Sequence, residues 1–148
     1  MKKLFSISIC LILILLSACQ DQSKSHMDGM VGVESNIDVQ TSFDVFIEQI
    51  KVNDYEVSLV IRNLSESDIT YGYNYNIEVG IDDVWHVTQY GPSDCPAGEY
   101  LLTPGESREH KYLLFNEPPN GDYRILIQMY YPESQSNSFY VAGQFAVN

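Results

Sequence analysis

Residues 56–62 read Glu-Val-Ser-Leu-Val-Ile-Arg, and they set the terms for this chain. Val57, Leu59 and Ile61 recur every second position, the period of a strand with one buried face and not of a helix. The same texture returns along the chain between turn signals. Residues 43–52 form a mixed apolar run rich in β-branched side chains, followed by a turn at Asn53-Asp54. Residues 69–71 resume a strand after the polar loop 63–68. Residues 77–81 and 84–87 flank Asp82-Asp83 as a hairpin. Residues 89–100 read as loop, and Pro104-Gly105 as a sharp turn. Residues 110–115, 123–131 and 139–147 complete the set, with a corner at 117–122 and a turn at 132–138. Short strands at regular spacing, without a long helical pattern, predict an all-β chain folded as an antiparallel sandwich of seven or eight strands.

A sandwich needs a core. The chain carries eleven Tyr, six Phe and one Trp, enough aromatic area for one. Roughly 110 residues follow the N-terminal region, which suits one domain and not two.

That N-terminal region has its own logic. Lys2 and Lys3 precede an apolar run over residues 4–16, and Leu16-Ser17-Ala18-Cys19 closes it. The run is shorter than the ~20 residues of a membrane span and has the zones of a secretory signal. A cysteine directly after Leu-Ser-Ala resembles the lipobox of bacterial lipoproteins. The resemblance implies cleavage before Cys19 and a diacylglyceryl group on its thiol, with a palmitate-type acyl chain among the lipids. The expected division is a signal peptide over 1–18, a lipidated flexible tether over 19–36, and a folded domain over 37–148. Two or three acyl chains, at about 0.8 kcal/mol per buried methylene, would hold the chain at the extracytoplasmic face of the cell membrane.

Losing Lys2 and Lys3 with the signal leaves six of the eight basic side chains against twenty acidic ones, a net charge of −14. A chain this acidic is not expected to bind nucleic acid, which needs clustered Lys and Arg. It is also repelled by anionic headgroups, so the membrane partner is reached through the lipid on Cys19 alone. Of three cysteines, Cys10 leaves with the signal and Cys19 carries lipid, so Cys95 has no intrachain partner.

Gly121-Asp122-Tyr123-Arg124-Ile125 opens a late strand after a proline-containing corner, and it resembles the tyrosine corner of immunoglobulin-like sandwiches. Ile125 stands where antibody domains place a cysteine. Residues 57–65, 69–72, 75–78 with Trp85, 102–107, 121–124 and 141–147, in this order, resemble the bacterial immunoglobulin-like domain of small Gram-positive lipoproteins. The likeness covers about residues 43–148 and implies an immunoglobulin-like sandwich; it assigns no activity to named residues. A looser resemblance, carried by the Asn-x-Ser loop, the Pro-Gly-Glu turn and Gly-x-Tyr, is to a bacterial intracellular proteinase-inhibitor family.

Candidate chemistry is sparse. Cys95, His86 and His110 are the only thiol and imidazoles of the domain, and their spacing carries no nucleophile elbow or zinc motif. No enzyme, catalytic residue or cofactor is expected. Asp82, Asp83, Asp94 and Glu99 offer hard oxygen ligands, but not at EF-hand spacing, and a solvated hairpin tip accounts for the first pair, so no metal is expected. Trp85 is expected in the core. Tyr71, Tyr73 and Tyr75 alternate and emerge on one face, beside Tyr90 and Tyr100, as candidate ligand-binding anchors; cross-strand packing explains the same pattern. The function expected is a lipid-anchored, non-catalytic interaction module with an envelope protein as partner. The alternative is an inhibitor or regulator of an envelope peptidase, acting through residues 89–99.

Overall fold

The alternating segment at residues 56–62 lies at the centre of the smaller of two sheets. In the computed structural model, which describes residues 29–39, 44–92 and 97–148, it forms β3 (Glu56–Asn63). Val57, Leu59 and Ile61 are buried and the residues between them half-buried. Antiparallel neighbours flank it, β2 (Val45–Asn53) on one side and β7 (Ser107–Leu113) on the other, giving the order β2-β3-β7. The β2–β3 register shifts between Glu48 and Lys51, where Gln49 takes a φ of 55°. That is a bulge, in which the extra residue bends the strand.

The larger sheet is built on β4 (Ile69–Ile81) and β8 (Gly121–Tyr131), the latter paired with β9 (Ser134–Val147). The other edge of β4 is shared. Its first half pairs with β6 (Glu99–Leu102), and its second half with β5 (Val84–Thr88). A further strand, β1 (Val31–Glu34), pairs with β5. The two sheets enclose one core, with Leu59, Ile61, Ile69, Ile77, Leu102, Ile125, Ile127 and Met129 essentially without solvent contact. At Gly143 a Cβ would lie 2.6 Å from Ile50 Cδ1 and 2.7 Å from Ile47 Cγ2, so glycine lets β9 approach β2.

The sandwich is therefore all-β and antiparallel, with nine strands among the described residues instead of seven or eight. Two of the differences have simple causes. Residues 31–34, expected within the tether, are β1; four residues are too few to show a period, and β5 supplies the pairing that makes them a strand. Glu99 and Tyr100, expected in a loop, open β6 because Gly72 and Tyr71 of β4 lie opposite them. Elsewhere the differences are shifts of boundary: β7 begins at Ser107 and β9 at Ser134.

The turns follow the sequence. Asp82 and Asp83 take φ values of 50° and 65°, the left-handed pair of a two-residue hairpin. Gly105 has a φ of 79°, and Glu106 N–H donates to the Thr103 carbonyl at 3.0 Å. Tyr123 is buried and its hydroxyl donates to the Pro119 carbonyl at 2.9 Å, the bond expected of a tyrosine corner. Asn63, fully buried, holds the 64–68 loop. Its Nδ2 donates to the Ser67 and Leu102 carbonyls at 2.8 and 2.9 Å, and its Oδ1 accepts from Ser65 N–H at 2.9 Å.

Trp85 is half-buried on the outer face of the large sheet and not in the core between the sheets. It faces Arg124, whose guanidinium lies 4.7 Å from its ring centre. The adjacent Glu78 is fully buried; Arg124 Nε and Nη2 both donate to its Oε2, at 2.7 and 2.6 Å. Trp85 lies on that face because it pairs with Gly80, which shares the outer side of β4 with Glu78.

Candidate functional site

The bulge in the β4–β8 pairing between Tyr71 and Tyr75 is where the tyrosine run stops behaving uniformly. Tyr71 is wholly buried, Tyr75 is 9% exposed and Tyr73 is 40% exposed. All three rings sit on the same side of β4 and meet aromatic partners there. Tyr71 and Tyr73 lie 5.4 and 4.9 Å from Tyr100 of β6, and Tyr75 lies 4.7 Å from Tyr112 of β7. The expected neighbour Tyr100 is present. Tyr90 is not; it is buried against Tyr123, 6.1 Å away. Tyr71 is a core residue, so Tyr73 and Tyr75 are the members of the run that reach open space.

That space is a groove of about 550 Å³. One wall is Tyr73, Tyr75 and Tyr100, from the large sheet. The other is β7, which contributes five successive residues, Glu109 to Leu113. Side chains of a strand alternate between faces. Five in a row can line one groove only if it follows the edge of the strand. Beyond the strand Phe115, 57% exposed, and half-buried Pro92 close the groove. Gly98 permits the wall: a Cβ there would come within 2.6 Å of the Tyr73 ring.

The phase of the β7 edge is fixed by two backbone bonds. Leu114 N–H donates to the Tyr55 carbonyl at 2.9 Å, and Asn63 N–H to the Glu106 carbonyl at 3.0 Å. With the register of the β3–β7 pair, the even-numbered residues of β7 bond β3. The backbone groups of Ser107, Glu109, Lys111 and Leu113 then point away from the sheet. The Leu113 carbonyl accepts from the Tyr75 hydroxyl, and Phe115 N–H donates to the Tyr90 carbonyl at 3.0 Å. Among the described residues, no backbone partner faces Ser107, Glu109 or Lys111 on this side.

At the base of the groove His110 Nε2 and the Tyr71 hydroxyl share a hydrogen bond of 2.6 Å. His110 also lies edge-on to Tyr100 at 4.6 Å. Burial, and after it the charge of Arg108, holds the imidazole pKa below its ordinary value, so His110 is neutral near pH 7. Burial raises the Tyr71 pKa. Both cations of β7 are engaged. Arg108 pairs with Glu106 at 2.7 Å and lies 5.6 Å from the Tyr100 ring centre, and Lys111 pairs with Glu56 at 2.8 Å. Glu109 makes no ion pair among the described residues.

His110 is spent on Tyr71, while His86 lies on β5 in register with Val79 and Glu34. Cys95 and Asp94 lie outside the described residues, as do Cys10 and Cys19. Among the described residues no three His, Cys, Asp or Glu side chains gather as a metal site, and no helix is long and apolar enough to cross a membrane. Of the 89–99 segment, Tyr90 is buried, Gly91 packs on the β4 backbone and Glu99 belongs to β6, while residues 93–96 lie outside the described residues. The sequence reading missed His110, Tyr112 and Phe115 as groove residues. The alternation of His110, Tyr112 and Leu114 marks an inward face, but only the stacking of two sheets brings it to the tyrosines.

Several solved structures are similar to the chain. The archaellum periplasmic stator protein FlaG from Sulfolobus acidocaldarius is 19% identical, covering 68% of this chain and 97% of its own, with a TM-score of 0.43. The complex of FlaF and FlaG from the same organism matches at 20% identity, 75% and 99% coverage and a TM-score of 0.45. A PapD-like domain of human CEP192 follows at 15% identity, 76% and 92% coverage and 0.36. No curated protein matches the chain. The profile of the bacterial Ig-like domain matches residues 38–145, which is most of the chain, and on that match the protein belongs to the bacterial Ig-like domain family.

Proposed function

We propose that this protein is a lipid-anchored, non-catalytic interaction module at the extracytoplasmic face of the cell membrane, and that it engages an envelope protein through the groove beside β7. One observation carries the binding half of the reading: a groove of about 550 Å³ whose wall is three tyrosines and whose rim includes exposed Leu113 and Phe115. Tyrosine brings large contact area at low entropic cost, and open apolar side chains gathered at a groove are a common mark of recognition surfaces. The anchor rests on the sequence Leu16-Ser17-Ala18-Cys19 after its basic and apolar zones.

Each half has its own test. For the anchor, cells fed labelled palmitate should label the protein and not Cys19→Ala; equal labelling of both removes the lipid. For the groove, a photo-crosslinking phenylalanine at position 73 should give a protein adduct in intact cells, and one at exposed Val33 should not. Adducts absent at 73, or equal at both sites, remove the groove as the contact surface.

A further inference from the structure

We infer that the groove receives an extended peptide segment, added as a fourth strand to the free edge of β7, with a cationic side chain set opposite Glu109. This rests on the groove being the contact surface and specifies how it binds and what chemistry it takes.

Three observations converge. First, β7 is the last strand in the order β2-β3-β7, and the outward backbone groups of Ser107, Glu109 and Lys111 have no partner among the described residues. Such a row is a template for another strand, and main-chain bonds to it supply affinity with little regard to side chains. The row is bounded, because the Leu113 carbonyl and the Phe115 N–H are taken by Tyr75 and Tyr90. Second, the groove has two unlike sides. A strand laid beside β7 turns alternate side chains inward, against Tyr73, Tyr75 and Tyr100, and the others outward. The inward ones must be apolar. Third, the charge is complementary to a cation. Arg108 and Lys111 are paired with Glu106 and Glu56, while Glu109, whose charge also reaches Lys111, forms no ion pair among the described residues. Without its first two lysines the chain carries −14, which disfavours another copy of itself and favours a basic segment.

The geometry gives a sharp consequence. The backbone of Glu109 points outward, so the residue directly opposite it would be a hydrogen-bonded partner in an antiparallel pair and share its face. In a peptide Val-Thr-Val-Lys-Val-Thr-Val, Lys opposite Glu109 places the nitrogens of Lys and Thr toward β7 and those of Val away from it.

Binding of this peptide, fluorescein-labelled, to the full-length protein in detergent is measured by anisotropy. N-methylation of the Lys and Thr nitrogens should weaken binding tenfold or more, and N-methylation of the Val nitrogens less than twofold. Exchanging Lys for Glu in the peptide should weaken it at least tenfold. In the protein, Glu109→Pro removes one outward N–H without touching the ladder to β3 and should cost tenfold, whereas Glu109→Gln should cost about threefold. Equal sensitivity of the two methylation series, indifference to the Lys-to-Glu exchange, or no binding by the parent peptide overturns the proposal. So does a dimer of the protein alone, seen by sedimentation, that Glu109→Pro dissolves, because the edge then belongs to a second copy. Crosslinking at position 73 that persists without peptide binding would leave the groove as a contact surface and remove strand addition. Loss of that crosslinking would remove both.

Discussion

The two faces of the large sheet handle polar groups beside aromatic rings in opposite ways. On the outer face Arg124 stacks on Trp85 and bonds Glu78, and the pair is sealed from water. On the inner face, where the sheet meets β7, His110 bonds Tyr71 at the base of a groove that stays open. The sealed pair spends its polar capacity internally and almost completely. Within the pair, Glu78 Oε1 has no hydrogen-bond partner among the described residues. At the open site His110 and Tyr71 bond each other at the base, while the Tyr73 ring and Glu109 stand at an exposed rim. The difference separates a polar contact that fixes the fold from one at the base of the proposed recognition groove, and it can be tested by mutation.

The largest effect belongs to the sealed face. Arg124→Met leaves the Glu78 carboxylate buried without its cation, and removing one member of a buried pair costs about 3–5 kcal/mol. Urea unfolding should show that loss, and Glu78→Leu with Arg124→Met should recover most of it, because the apolar pair needs no compensation. A single-mutant loss under about 1 kcal/mol would mean that the face is wet and that the contrast with the groove is false.

Within the tyrosine run the contrast can be sharpened. Tyr71→Phe removes a buried hydroxyl and leaves His110 Nε2 without its partner, for a loss of about 1–2 kcal/mol. Tyr73→Ala, at a ring 40% exposed on the groove wall, should change stability by about half as much or less while abolishing peptide capture at the groove. Reversed magnitudes would make Tyr73 the structural residue and leave the groove without an anchor.

What could be read from the sequence divides along the same line. Period-two alternation gave the buried face of β3, and turn chemistry placed Asp82-Asp83, Gly105 and the corner that ends at Tyr123, because each is decided by residues close in the chain. The tyrosines were legible as a face, since Tyr71, Tyr73 and Tyr75 alternate. Their division into core and groove was not. It depends on the bulge in the β4–β8 ladder and on the approach of β7, more than thirty residues away in sequence. β1 and β6 escaped notice because each has four residues and is a strand only by virtue of β5 and β4. Trp85 reads as core from its apolar neighbours, but the register that pairs it with Gly80 puts it on the outer face, against Arg124.

The smallest effect concerns the proton on His110. Its pKa in the fold lies below the ordinary histidine value, mainly through burial and secondarily through Arg108. The unfolded chain therefore binds more protons than the folded one once the pH drops toward the ordinary histidine pKa of about 6.5. The stability contributed by neutral His110 is complete above that pH and is lost as the pH falls through the lower, folded value. Once protonated, Nε2 can only donate, so the Tyr71 hydroxyl can meet it only as an acceptor. Unfolding midpoints measured from pH 7.5 to 5 should fall more steeply for the native protein than for His110→Gln, whose side chain does not titrate. Peptide binding to the groove should weaken over the same window, because Tyr100 rests on the imidazole edge and shares the wall with Tyr73. Parallel slopes for the two proteins would show that His110 exchanges its proton at no cost to the fold, and that the base of the groove is as well solvated as its rim.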